Sequence, residues 1–346
     1  MLITNNKSNV RYLFYKVAGQ PKSVKLGPFE MVEIPDLISI TQITYNALDY
    51  KMKGINERFG TNFELNFTTS MSSQVDYHLL DSWYSSLSVK PSASLWTDLQ
   101  ALANGMYEDG NWDKLDLFAM VGAMETNEQR LRPLKTQSGS DLINAGVTFS
   151  SSGATSNGTS TYLNLQYNTV DDGGNYQFTA GTLAVVVTGT KHGEYGSNSY
   201  GTYMGVTNDF ADYETTFPSY NTIGLFVNTG NTFFLQANIN FSSNDSIPMV
   251  SKRGYKSFNR LDVTNVTYYV DSTSYARTEE FDTNFFENIK YDFLGCCDRY
   301  LDISQDEPYN FTQETIGTFI IGAGDIDNDK MDSRLRTFFT SRGISY

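Results

Sequence analysis

Residues 222–228 read TIGLFVN, residues 232–240 read TFFLQANIN, and Thr229, Gly230 and Asn231 stand between them. Thr, Ile, Leu, Phe and Val suit a pleated surface, while Gly and Asn mark a turn. Two short β-prone runs joined by turn residues describe strand, turn and strand. The pattern recurs on both sides. Thr161–Tyr167, Phe178–Thr188 and Tyr200–Val206 precede it, and Val263–Asp271, Tyr291–Cys297 and Thr315–Ile321 follow. Strands at this spacing, with no helical pattern among them, predict a β-sandwich or jelly roll over residues 136–346. Met331, Leu335 and Phe338 are spaced four and three apart and predict a short closing helix.

Upstream, Leu95, Leu99, Leu102 and Met106 fall on one helical face, and Gly110 stops that helix. The apolar run Leu115–Met124 fits a helix or a strand, and Glu125–Arg130 is a polar turn. Phe63, Leu65 and Phe67 alternate as in a short strand. Residues 61–135 therefore read as a connector with helices. The first sixty residues form a separate module. Val10–Val17 is β-prone, Gly19-Gln20-Pro21 is a turn, and Val24–Ile34 is a second strand interrupted at Gly27-Pro28. Ser39 and Gln42 have capping-box spacing ahead of Ile40, Ile43, Ala47, Leu48, Met52, Ile55 and Phe59, with Gly60 as the stop. Two strands and a helix bury little by themselves, so this module is expected to dock onto something.

Composition excludes several function classes. The chain has 346 residues, and 25 Lys+Arg against 39 Asp+Glu leave a net charge of −14. Binding nucleic acid through phosphates needs clustered cations, and so does binding an anionic membrane surface. Aromatics reach 14% and charged residues only 18%, the reverse of a disordered chain. Cys296 and Cys297 are adjacent, so a bridge between them would be strained and would close almost no loop. They read as two reduced thiols in a chain folded in a cytosol. Residues 1–10 show neither a basic nor an apolar signal region, and no apolar run approaches a membrane span.

The chemistry-bearing residues do not assemble into a known catalytic pattern. Asp325, Asp327 and Asp329 alternate, but Lys330 and Arg336 stand where a calcium loop needs Gly and Glu. They are expected to cap the last helix, where the dipole favours negative charge. Asp171-Asp172-Gly173-Gly174 reads first as a turn. Glu279, Glu280 and Asp282 are the best carboxylate cluster for glycoside hydrolysis, but Asn284 and Phe285 leave a glucanase-type motif incomplete. His78 and His192 are the two histidines, neither beside a nucleophile elbow. The residues call for no cofactor and no metal. The triplets at Asn157 and Asn265 are read as chance sequons rather than glycosylation sites.

Three stretches carry a resemblance. The first is Ser94–Lys135, which contains Lys114-Leu115-Asp116. The second is Ser156-Asn157-Gly158-Thr159-Ser160-Thr161-Tyr162-Leu163-Asn164, followed by Tyr167-Asn168. The third is Phe319-Ile320-Ile321-Gly322-Ala323-Gly324. Their order resembles the helical lead-in, opening element and closing strand of the concanavalin A-like (laminin-G-like) jelly roll in tailed-phage fibre and minor virion proteins. At the front, Lys7-Ser8-Asn9-Val10, Pro28-Phe29-Glu30 and Ile34-Pro35-Asp36-Leu37 resemble an anchoring module of crAss-like Bacteroides phage virion proteins. The Cys296-Cys297 pair and the Thr190–Tyr200 loop have no counterpart in that pattern.

The resemblance implies a non-enzymatic component of a phage particle, assembled in the bacterial host cytoplasm. Its first form is a head fibre or capsid decoration subunit. Residues 1–60 would attach it to other virion proteins through Phe29, Ile34, Pro35 and Leu37, and the jelly roll would project. Such appendages imply a homo-oligomer, a trimer by resemblance. A tail-fibre adhesin that binds host glycans is the alternative, and a glycan depolymerase on the same fold ranks last.

Overall fold

The computed structural model describes residues 78–346 apart from 169–170, 178–179, 190–199, 208–221, 229–231, 238–246, 249–250, 252, 263, 271, 279–291, 303–304 and 310, and the backbone of four strands in the first 77 residues. The chain divides into two units, Met1–Tyr77 and His78–Tyr346.

In the first unit the strands are β1 (Leu2–Thr4), β2 (Arg11–Val17), β3 (Gln20–Leu26) and β4 (Met31–Glu33). β2 and β3 pair antiparallel with Val17 opposite Gln20; the second strand, expected over Val24–Ile34, starts at Gln20 and ends at Leu26, so Gln20 and Pro21 belong to a strand rather than to the expected turn. β1 pairs with β4, Leu2 opposite Glu33. That strand lies in a stretch too polar to read as one. The expected helix after Ser39 lies outside the described residues, as do Phe29, Ile34, Pro35 and Leu37.

The second unit is mainly β. Its elements in chain order open with helices α1 (Asp81–Ser86) and α2 (Ala93–Glu108), strand β5 (Leu115–Met120) and helix α3 (Asn127–Leu131). Short strands follow: β6 (Lys135–Thr136), β7 (Ile143–Ala145), β8 (Thr148–Phe149), β9 (Ala154–Thr155) and β10 (Tyr162–Asn164). Then come β11 (Gly181–Gly189), β12 (Tyr200–Thr207), β13 (Thr222–Asn228), β14 (Thr232–Ala237), β15 (Ile247–Pro248), β16 (Gly254–Arg260), β17 (Asn265–Val270) and β18 (Thr273–Thr278). The last are β19 (Leu294–Gly295), β20 (Asp298–Asp302), β21 (Gln305–Tyr309), β22 (Thr315–Ala323) and helix α4 (Asn328–Ser341).

Two antiparallel sheets form the sandwich. One runs β18-β17-β16-β11-β22-β5-β6, with β9 also on β22 and β8 on β9; the other runs β15-β14-β13-β12-β19-β10-β7. The TIGLFVN and TFFLQA runs are the neighbours β13 and β14, Leu225 opposite Leu235.

Alternation along the strands of the first sheet divides their side chains between two cores. Leu183, Val185 and Val187 of β11, Leu117 and Ala119 of β5, and Phe319 and Ile321 of β22 face Met204, Val206, Leu225 and Val227 of the second sheet. Ala184 and Val186, Phe118 and Met120, and Ile320 face the opposite way. They meet Leu95, Leu99, Leu102 and Met106 of α2 and Met331, Leu335, Phe338 and Phe339 of α4. Each Val, Leu, Ile, Phe or Met among them stabilises the fold by roughly 1.5–3 kcal/mol when buried. A strand buried on both faces shows no alternation, which is why Leu115–Met120 reads equally as helix or strand. The expected connector therefore contributes more than a link: from residue 115 it supplies a strand hydrogen-bonded to β22, Ile320 opposite Phe118.

The helices carry the caps their sequences announce. Ser92 caps α2 by accepting from the Leu95 N–H, and Gly110 follows that helix at φ +73°. Thr126 and Gln129 form a complete capping box on α3. Asp327 caps α4 by accepting from the Lys330 N–H.

Candidate functional site

Lys114-Leu115-Asp116 enters β5 at an irregularity. Leu117 pairs with Ile321 and Leu115 with Gly322, so Asp116 is the extra residue of a bulge. Its side chain is fully buried. Four donors converge on the carboxylate. Oδ1 accepts from the Asn175 N–H at 2.8 Å and the Asn175 side-chain amide at 3.1 Å. Oδ2 accepts from the Tyr176 N–H at 2.6 Å and the Tyr167 hydroxyl at 3.2 Å. The Tyr167 hydroxyl also lies 3.0 Å from the Gly173 carbonyl oxygen. Burial and the neighbouring Asp116 charge push that phenol far above its ordinary pKa. A buried carboxylate is tolerated only when paired or saturated with donors, and Asp116 is saturated.

The loop that Asp116 holds is the Asp171-Asp172-Gly173-Gly174 stretch, and it is the turn the sequence predicts. Asn168 Oδ1 accepts from the Asp171 N–H at 2.7 Å, and Asp172 Oδ2 accepts from the Asn168 N–H at 2.8 Å. Gly174 sits at φ +114°, and a Cβ there would lie 2.5 Å from Asp116 Oδ1.

Two residues before Asp116, on the far side of Leu115, Lys114 reaches Asp325. Its ammonium donates to the Asp325 carbonyl at 2.8 Å and pairs with the carboxylate at 2.9 Å. Asn111 completes this corner: its side-chain oxygen accepts from the Asp327 N–H at 2.9 Å and its amide donates to the Asp327 carbonyl at 3.1 Å. The start of α4 is thereby tied to the end of α2. Gly324 passes so close to Arg260 that a Cβ would fall 1.8 Å from its carbonyl oxygen. Asp325 and Asp327 are thus engaged in a salt bridge and a helix cap. Among the described residues no three His, Cys, Asp or Glu side chains are grouped to hold a metal.

Asn157 organises the remaining motif. Its Oδ1 accepts from the N–H groups of Thr159, Ser160 and Thr161 at 2.8–3.2 Å, and its amide nitrogen donates to Ser160 Oγ at 2.9 Å. Asn265 is engaged likewise, donating to Asp262 Oδ2 at 2.7 Å. Both side-chain amides shape the turns they sit in.

Other candidates separate. His78 is exposed and 2.9 Å from Asp81 Oδ2. His192, Glu279, Glu280 and Asp282 lie outside the described residues. Cys296 and Cys297 are buried and not joined in a disulfide, and burial pushes the Cys296 thiol up to about 12.

Sequence reasoning missed a second polar centre at Asp332 on α4. Arg336 binds both its carboxylate oxygens at 3.2 Å, and Ser272 Oγ and the Tyr346 hydroxyl lie at 3.2 and 3.3 Å. Only the Asp332/Arg336 spacing of four was available in the sequence to announce it.

No protein-family model matches the chain, and no curated protein matches it. Three solved structures give the scale of structural similarity. A mutant of Trypanosoma rangeli sialidase displaying trans-sialidase activity aligns with a TM-score of 0.44 at 11% identity, over 70% of this chain and 39% of that one. The binding domain of botulinum neurotoxin serotype D aligns at 0.40 and 12% identity, over 64% of this chain and 50% of that one. The NanB sialidase of Streptococcus pneumoniae aligns at 0.34 and 11%, over 54% and 27%. The chain spans half or less of the length of each.

Proposed function

We propose that this chain is a non-catalytic structural subunit of a tailed-phage particle. In this reading it is a head fibre or capsid decoration protein, found in the virion and assembled in the bacterial host cytoplasm. One observation carries the reading: the stretches on which the phage resemblance rests meet in space. Asp116 of the first binds Tyr167 of the second, and Lys114 binds Asp325, the residue after Gly324 of the third. Segments far apart in the chain that share one hydrogen-bonded corner behave as parts of a single domain signature rather than as separate coincidences. The division between Tyr77 and His78 supports an attaching unit followed by a projecting one. Phe29, Ile34, Pro35 and Leu37 are the proposed contacts to other virion proteins. Self-association is part of the proposal, with a trimer as the expected mass by light scattering.

The direct test is co-purification. A tagged full-length chain, produced in host cells that are assembling particles, should band with the particles in a density gradient and resist a salt wash. Recovery of the tag only in the soluble fraction would reject the proposal.

A glycan-binding role for the sandwich, as in a tail-fibre adhesin, is the second reading. It is favoured by the aromatic content of the chain, 14% of its residues, because amphipathic rings at a surface suit recognition. Binding of the purified chain to a glycan array would support it.

A further inference from the structure

Two glutamates grip the turn through which the chain enters the sandwich. Ser88 and Ser92 mark the ends of the exposed turn between α1 and α2. The Ser88 N–H donates to Glu128 Oε1 at 2.8 Å and its hydroxyl to Oε2 at 2.5 Å; the Val89 N–H donates to the same Oε2 at 3.3 Å. The Ser92 N–H donates to Glu125 Oε2 at 2.8 Å, and its hydroxyl donates to Oε1. Gln129, fully buried between them, donates to the Val89 carbonyl at 3.3 Å. The capping box of α3 holds all three gripping residues in place.

The surrounding charges are accounted for. Arg132 lies 3.5 Å from Glu128 and is shared with Asp141. Arg342 lies 3.8 Å from Glu125 and is shared with Asp98. Arg130, on the same helix as Glu128, donates to Asn127 Oδ1 and the Met124 carbonyl. Lys90, on the turn itself, donates to the carbonyls of Tyr84, Ser85 and Leu87. His78 is paired with Asp81.

We propose that Glu128 forms an acid-released clasp on Ser88 and Val89, closed while its carboxylate is ionised. Ionised, it accepts three hydrogen bonds from these two residues. Protonated, it carries a hydroxyl that must donate, and it no longer accepts all three at full strength. The hydrogen bonds from Ser88 hold the Glu128 carboxyl below the usual glutamate range. A carboxyl lowered in this way contributes its hold above the unfolded value and loses it as pH falls through the folded one. Opening is local, because Leu80, Trp83 and Leu87 remain buried in the core beneath α2 and α4. The clasp lies just after the division between the two units. Its state sets how firmly residues 88–89 are held against α3, whatever the particle to which the chain attaches.

Hydrogen exchange on the full-length chain tests this, stepping pH down from neutral and correcting for intrinsic exchange. In the wild type, acid should speed exchange of the Ser88 and Val89 amides by about tenfold or more while β11 and β22 stay protected. A Glu128→Gln variant should reach the faster rate at neutral pH and no longer respond to acid. Equal protection in the two proteins would overturn the clasp, and so would turn and sheets opening together. If the glutamine variant fails to fold, Ser88→Ala keeps the carboxylate. It should loosen the turn in part and keep the acid response, and no loosening would overturn the proposal.

Discussion

The hydroxyl of Tyr167 donates to the buried carboxylate of Asp116 at 3.2 Å, across 51 residues of sequence. The bond joins a bulge in β5 to the chain that follows β10, and the same carboxylate holds the backbone of Asn175 and Tyr176. Asp116→Ala should therefore cost about 3 kcal/mol or more, since four donors lose their acceptor at once, the buried Tyr176 N–H among them. Tyr167→Phe removes a single hydroxyl and should cost about 1 kcal/mol. Urea denaturation of both variants and the double variant checks this. The double variant should cost clearly less than the sum, because the two residues share one bond.

Gly174 and Gly324 are required by close approach. An added Cβ at Gly174 would meet the Asp116 carboxylate at 2.5 Å from a positive φ, and one at Gly324 would meet the Arg260 carbonyl at 1.8 Å. Gly324→Ala must displace backbone, so it should be the more damaging, by about 3 kcal/mol. Gly105→Ala is the control. There the Cβ would meet the Arg334 guanidinium at 2.6 Å, and that flexible group can move away. The helix gains about 1 kcal/mol in propensity while the Arg334–Asp109 pair is disturbed, so the net change in thermal midpoint should be small.

Cys296 and Cys297 are buried, so a thiol reagent should label neither in the native chain and both after unfolding. The same burial makes stability fall in alkali. The Cys296 thiol is raised from 9.0 to about 12, so the folded state keeps its proton where the unfolded chain releases it. The stabilising effect is complete below pH 9 and is lost as pH rises from 9 towards 12. The buried phenols of Tyr167, Tyr176 and Tyr255, all raised by burial, add to this loss above their ordinary value of 10. Urea midpoints measured across that window should fall steadily, and Cys296→Ser should flatten the first part of the slope.

How much was legible depended on how far apart the decisive partners lie. TIGLFVN and TFFLQA could be read because turn residues separate two local β patterns, and α2 and α4 because their apolar spacing is local. The Asp327 cap is legible for the same reason. β5 was ambiguous because both its faces are buried. β16 was missed because Gly-Tyr-Lys-Ser-Phe-Asn-Arg looks like an exposed loop, yet all seven residues are buried. Two of its polar side chains find partners far along the chain: Asn259 donates to the Ile326 carbonyl at 2.8 Å and Tyr255 lies 2.8 Å from Asn328 Oδ1, while Lys256 donates to the nearby Ser251 carbonyl at 2.9 Å. Asp116 was visible as a member of a motif, but its donors lie 51 to 60 residues away, so its role emerges only in the folded chain.

The most direct test of a particle subunit compares two chains on purified particles, the full length and residues 78–346. Both are expressed with the same tag in cells assembling the particle. The account predicts that the full-length chain bands with particles, while the truncated chain stays soluble and keeps the buried thiols of a folded sandwich. Finding neither chain on the particles, with both soluble and folded, would contradict it.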